Sequence, residues 1–260
     1  MRAVFLGLLV CGRLAAAEPD ASGPVTAPPA SPEAGFEAGN AALEKGDLAG
    51  AEAAYRAVLV RASDPDVYFN LGNVLWRQGA AADAILAWRT AAVGAPRDPD
   101  VAANLDFAHR STKDALAVPS NVPAWAPWMG ALSVGEAAWT ASALLGVALV
   151  ALGRRRQASH LPLVGMASAL GPVGLVVGAS AMAQASADPV AVVRVPDVAV
   201  TSDLGGGVTL FSLHAGAEVL AAEESGASVL VVLADGRRGW VPASSVGIAD
   251  PTRPFPLRGL

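Results

Sequence analysis

Cysteine is almost missing from this 260-residue chain: Cys11 is the only one. A single cysteine excludes a disulfide within the chain and any metal site built on paired thiolates. Lysine is nearly as scarce, with only Lys45 and Lys113. The net charge is −5, and no basic run exists beyond Arg154-Arg155-Arg156. Nucleic-acid binding needs a basic footprint, so nucleic acid is not expected as a partner. Charged residues make up 16% of the chain, against roughly 25% in a soluble domain. With a mean hydropathy of +0.44, that shortage points to a membrane contribution. The three histidines, His109, His160 and His214, fall in separate segments, whereas a metal centre needs convergent ligands. Gly205-Gly206-Gly207 is followed by neither Lys-Ser/Thr nor a helix, so it is not a phosphate loop. No Gly-x-Ser-x-Gly elbow occurs. The sequence therefore reads as non-enzymatic, with no catalytic residue, cofactor or metal ligand.

What the chain has instead is two long uncharged stretches, Ala137 to Leu152 and Leu161 to Ala183, either side of the arginine triplet. A helix needs ~20 apolar residues to cross a bilayer. The second stretch is long enough, and the first reaches that length by extending back past Glu136 to about Leu132. Basic loops stay cytoplasmic, so Arg154, Arg155 and Arg156 set the topology, with both flanking regions on the outer face. Glu136 then sits at headgroup depth; a buried transport glutamate is the sharper alternative. Gly174 and Gly178, four apart, allow close packing on the first span, and Pro172 can kink the second. Trp125, Trp128 and Trp139 fit an interfacial aromatic belt, with ordinary packing as the alternative. A buried helical pair in a soluble protein is the alternative for the hairpin as a whole.

The N-terminus reads as a secretory signal: Arg2, an apolar core from Ala3 to Val10, and small residues Ala15 to Ala17 before Glu18. Arg13 leaves an uncleaved anchor open, and Cys11 a lipoprotein site. A proline-rich stretch follows up to Ser31, a linker by composition.

Next comes an internal repeat. Gly39, Gly46, Ala51 and Tyr55 recur 33 residues later as Gly72, Gly79, Ala84 and Trp88. Asp64-Pro65-Asp66-Val67 recurs 34 residues later as Asp98-Pro99-Asp100-Val101. Such a period means stacked helical hairpins. The spacing predicts that Gly46 and Gly79 end helices, that Asp-Pro starts them, and that Gly39 and Gly72 leave room where helices cross. These positions resemble the tetratricopeptide repeat, best in the second copy with Tyr68, Leu71-Gly72, Leu75, Ala84, Trp88, Ala91 and Pro96. A third, half copy from Pro99 to about Leu116 reads as a capping helix. In such repeats the first helix of each pair lines a concave groove. The resemblance places Phe36, Asn40, Leu43, Phe69, Asn73, Trp76, Arg77, Phe107 and Arg110 there, as partner anchors or in part as core. Asn40 and Asn70 match the asparagines of a carboxylate clamp, but Phe36, Asp100 and Asn104 stand where that clamp has basic residues, which argues against it.

After Asp188-Pro189 the pattern alternates. Six short strands between Val190 and Val241 are punctuated by Ala215-Gly216, Ser225-Gly226 and Asp235-Gly236. A small barrel is expected. Its ending, Asp235 to Pro242 followed by Val246, resembles the last hairpin of bacterial SH3-like domains. Trp240 there either contacts a ligand or packs on its own barrel.

The expected chain is a multidomain membrane protein. A signal peptide (1–17) and a linker (18–31) precede an all-α tetratricopeptide-repeat domain (32–117). A second linker (118–131) leads to two transmembrane helices (132–153 and 161–183) around a cytoplasmic loop (154–160). An all-β SH3-like barrel (189–250) and a tail (251–260) follow. In that order these parts resemble the BatE-type aerotolerance proteins. The resemblance implies an inner-membrane scaffold with both termini periplasmic, acting with von Willebrand A-domain membrane proteins and a MoxR-type ATPase. The alternative is an envelope module whose barrel grips peptidoglycan while the repeats recruit an enzyme.

Overall fold

The computed structural model describes residues 31–114, 132–154 and 161–256, with side chains for 31–114, 132–152 and 170–256. The signal, both proline-rich linkers, Trp125, Trp128, Arg155, Arg156 and His160 lie outside the described residues.

Five helices come first: α1 (Pro32–Glu44), α2 (Leu48–Leu59), α3 (Pro65–Arg77), α4 (Ala81–Gly94) and α5 (Pro99–Ser111). Their ends follow from sequence. Asp64 accepts a hydrogen bond from the Asp66 N–H, and Asp98 accepts from the N–H groups of Asp100 and Val101, with proline in the first turn of each helix. Gly46 and Gly79 take φ of 78° and 80° just past α1 and α3, the left-handed turn that only glycine adopts without cost. The helix-crossing glycines are equally specific. A Cβ on Gly39 would stand 2.4 Å from Tyr55 Cε1, and one on Gly72 2.4 Å from Trp88 Nε1. The 33-residue repeat is therefore a repeat of contacts: each glycine is the floor under the aromatic of its own hairpin. The capping helix is shorter than expected, ending at Ser111.

Two helices follow, α6 (Val134–Arg154) and α7 (Leu161–Ala185), packed on each other. A small-residue seam joins them. Gly174 lies under Leu144, Leu145 and the Ala141 carbonyl, Gly178 against Ala141, and Gly171 against Ala148. Among the described residues, Val134–Leu152 is long and apolar enough by composition to cross a membrane, while the described apolar run of α7 is Leu170–Ala185. Glu136 is a helix cap. Its carboxylate accepts from the Ser133 N–H, and its own N–H donates to Ser133 Oγ, a reciprocal capping box.

The remainder is a seven-stranded antiparallel sheet: β1 (Val190–Val193), β2 (Asp197–Thr201), β3 (Thr209–His214), β4 (Glu218–Ser225), β5 (Ser228–Val232), β6 (Arg238–Pro242) and β7 (Val246–Ile248). The spatial order is β3-β2-β6-β5-β4-β1-β7. Six of these strands were legible in the sequence; β7 adds a seventh and pairs with β1. Inward residues of every strand, including Val193, Val200, Val219, Val231, Val241 and Val246, meet in one core.

The helices and the sheet are docked. Val192, on the opposite face of β1 from Ala191 and Val193, joins the helical core, as does Ala249. β1 is thus buried on both faces, and α4 is buried almost all round, from Ala82 to Trp88, the mark of an internal helix.

Candidate interaction sites: the concave face and the domain junction

On the first helices of the repeats, asparagines hold the aromatics of the second helices. Tyr55 donates its hydroxyl to Asn40 Oδ1 at 2.7 Å. One repeat later, Trp88 donates Nε1–H to Asn73 Oδ1 at 3.2 Å. Asn73 Oδ1 also accepts from Asn104 Nδ2 at 2.8 Å. Burial pushes the Tyr55 hydroxyl above its ordinary pKa, so it remains a donor throughout the physiological range. These amides are occupied in tying the stack together. The carbonyl oxygens of Asn40 and Asn73 accept from the chain's own side chains.

The sequence-expected groove residues divide accordingly. Trp76 stands between Trp88 (ring centroids 5.7 Å apart) and Phe107 (5.5 Å, edge-on). Phe107 is 51% exposed, and Arg77, next to Trp76 on α3, is exposed. Trp76 and Phe107 therefore form one accessible aromatic patch, with Arg77 adjoining it in sequence. Arg110 is exposed one turn on, paired with Asp106. Phe36 lies apart, 6.0 Å from Tyr55. Leu43 and Phe69 are part-buried against the helical core, so they contribute chiefly to packing. Trp240 is half-buried and not among the inward core residues of the sheet, so it lies on the outer face of β6.

The junction between helices and sheet was not legible as a site. Arg194 of the β1–β2 connection donates Nε–H to Asp83 Oδ1 on α4 at 2.6 Å. Glu218 of β4, only 3% exposed, is held by Arg89 of α4 and His109 of α5. His214 of β3 is held between Asp114, 2.9 Å from Nδ1, and Lys113, 2.8 Å from Nε2. Lys113 can only donate, so His214 is the Nδ1–H tautomer in this arrangement. His109 and His214 belong to different domains, as the sequence has them, yet both stand at the junction between those domains. Two signals foreshadowed it. Apart from Asp83, Arg89 and Thr90, α4 is apolar all round, and Val190 to Val193 is an unbroken apolar run.

A cleft of about 250 Å³ opens beside the junction between Ala92, Pro96, Val101 and Leu105, with Arg89 and His109 at its end. That is below the ~300–1,000 Å³ of small-molecule sites. Among the described residues no three of His, Cys, Asp and Glu converge to hold a metal ion.

Residues 36–102 match the tetratricopeptide repeat family model. Neither the curated proteins nor the solved structures contain a match to the chain. The match spans roughly a quarter of the sequence, so it speaks for the helical region alone: that region is a tetratricopeptide-repeat array, a fold whose general use is protein–protein interaction.

Proposed function

We propose that this chain is a non-enzymatic scaffold anchored by a two-span membrane hairpin, which presents its repeats and its SH3-like sheet domain to partner proteins on the outer face. One observation carries the reading: the repeats and the sheet domain touch, although α6 and α7 separate them in the chain. A single crossing between them would put them on opposite sides of the bilayer, where Asp83 and Arg194 could not meet. Docking is compatible with an even number of crossings, and α6 and α7 together would supply two.

The hairpin's chemistry agrees. Val147, Leu149, Val150, Val173, Leu175, Val176 and Met182 point outward, where lipid would cover them. The hydroxyls of Thr140 and Ser142 are satisfied by carbonyls four residues back, and that of Ser180 by the carbonyl of Val177, as a water-free environment requires. Trp139 is 80% exposed one turn inside the start of α6, at interfacial depth. The triplet beginning at Arg154 would hold the tip in the cytoplasm.

In this reading the Trp76–Phe107 patch, with Arg77 adjoining it, is the partner anchor. A Bat-type stress complex, with von Willebrand A-domain proteins and a MoxR-type ATPase, is the assembly that the chain's architecture suggests. Topology is tested in a Cys11→Ser background, with single cysteines at Ala103, Arg156 and Ser244 and a membrane-impermeant maleimide on intact cells. Labelling of positions 103 and 244 without 156 supports the reading; labelling of 156 sinks it. The cell-wall reading is favoured by Trp240, placed on the outer face of the sheet. Retention on purified wall sacculi that is lost in Trp240→Ala would select it.

A further inference from the structure

We infer that the array carries a second binding site, separate from the concave patch, that takes an extended Phe-Pro peptide segment and is filled in cis by Phe255 and Pro256. Beyond β7 the chain leaves the sheet and turns on Asp250, which accepts from the Thr252 N–H and hydroxyl. It then lies against α2 and α3. The Phe255 ring packs at 6.0 Å on Tyr68 of α3 and beneath the guanidinium of Arg56 on α2, 5.2 Å from its centroid. Arg56 Nη1–H donates to the Pro256 carbonyl at 3.0 Å. One ring, one cation and one main-chain carbonyl make a recognition contact for an extended peptide, in which proline keeps the backbone extended.

Two further observations make this a site and not merely a core contact. The repeats themselves hold the socket's residues in place. Tyr68 belongs to the helical core, and Arg56 is held by Glu52 on its own helix at 2.9 Å. In addition, Arg56 Nη2 is buried without an acceptor among the described residues. The socket can therefore accept one more ligand oxygen than Pro256 supplies, and a segment from a partner that offers it competes with the tail.

A flexibly tethered ligand sits at an effective concentration on the order of millimolar. A free peptide of ~0.1 mM affinity thus sees the wild-type site weakened about tenfold. The test uses full-length protein and a fluorescent peptide of residues 250–256, read by polarisation. Phe255→Ala, which empties the socket, should bind the peptide at least about tenfold more tightly than the wild type. Adding Arg56→Gln should abolish that gain, and a peptide with alanine in place of its phenylalanine should not bind. Arg56→Lys, which keeps the charge but loses the planar fork, serves as a second variant and should also lose the gain. Equal binding to wild type and Phe255→Ala overturns the inference, as does binding indifferent to Arg56, or no binding to any form.

Discussion

Arg194 and Asp83 lie 111 positions apart in the chain and 2.6 Å apart in space, at the junction where the sheet domain rests on α4. Their side chains are 13% and 12% exposed, so water screens the pair only partly. Both make further interactions, which moderates the loss when either is removed. Asp83→Ala is expected to cost about 2 kcal/mol, below the ~3–5 kcal/mol of a fully buried broken pair. A double-mutant cycle with Arg194→Ala, followed by chemical denaturation, should return a coupling of at least ~0.5 kcal/mol. A coupling of zero would mean that the domains do not dock through this pair.

Gly72→Ala tests the repeat layer. The new methyl would meet the indole of Trp88 at 2.4 Å, and the indole cannot retreat without giving up Asn73. The expected loss is about 1–3 kcal/mol. Trp88→Leu in the same chain should recover part of it, since the clash is with the indole. Denaturation followed by far-UV circular dichroism measures both.

Phe107→Ala separates binding from stability. Half of this side chain is already in water, so stability should change by no more than ~0.5 kcal/mol. Loss of a central aromatic anchor costs a partner ~2 kcal/mol, roughly a thirtyfold weaker complex. A photo-crosslinker at Arg77 in native membranes should give a product that Phe107→Ala depletes. An undiminished product would move the partner site elsewhere.

The tail should loosen in acid. Arg253 bridges Glu224 and Asp250. The hydrogen bond from Arg253 holds the Glu224 carboxyl below its ordinary pKa. Burial pushes Asp250 up, but hydrogen bonds from Thr252 and Arg253 outweigh it, and the net shift is downward. Carboxyls depressed in the folded state contribute stability above their unfolded values, near ~4. That contribution is lost as pH falls through the lower folded values. Hydrogen exchange of residues 250–256 should therefore speed up below about pH 4 beyond its intrinsic pH dependence. Arg253→Gln should remove most of that extra response.

Local structure was largely readable because single residues dictate it. Asp-Pro starts, Gly46 and Gly79 stops, and the Gly39 and Gly72 floors each follow from sterics within one hairpin, and the strands from alternation and Asp-Gly turns. The aromatic patch was readable in part: the repeat register placed Trp76, Arg77 and Phe107 on one face but could not show that Asn40 and Asn73 are committed to Tyr55 and Trp88. The junction was opaque because it depends on how two distant modules are set against each other. No local pattern pairs Glu218 with Arg89 and His109, and Gly247 declares itself only when Leu86 is found where its Cβ would be. The same holds for Phe255, whose partner is more than 180 residues upstream.

The docking of the two domains on one face of the membrane is tested most directly by a disulfide across the junction. A Cβ on Gly247 would stand 2.3 Å from Leu86 Cδ2, and replacing Leu86 by cysteine frees that space while placing a thiol in it. In a Cys11→Ser background, Leu86→Cys with Gly247→Cys in membrane-embedded, full-length protein should form an intramolecular disulfide on mild oxidation. It should appear as a reductant-sensitive mobility shift, absent from each single variant. Failure of the pair to cross-link, with the two cysteines reacting with impermeant maleimide from opposite sides of the membrane, would contradict the account.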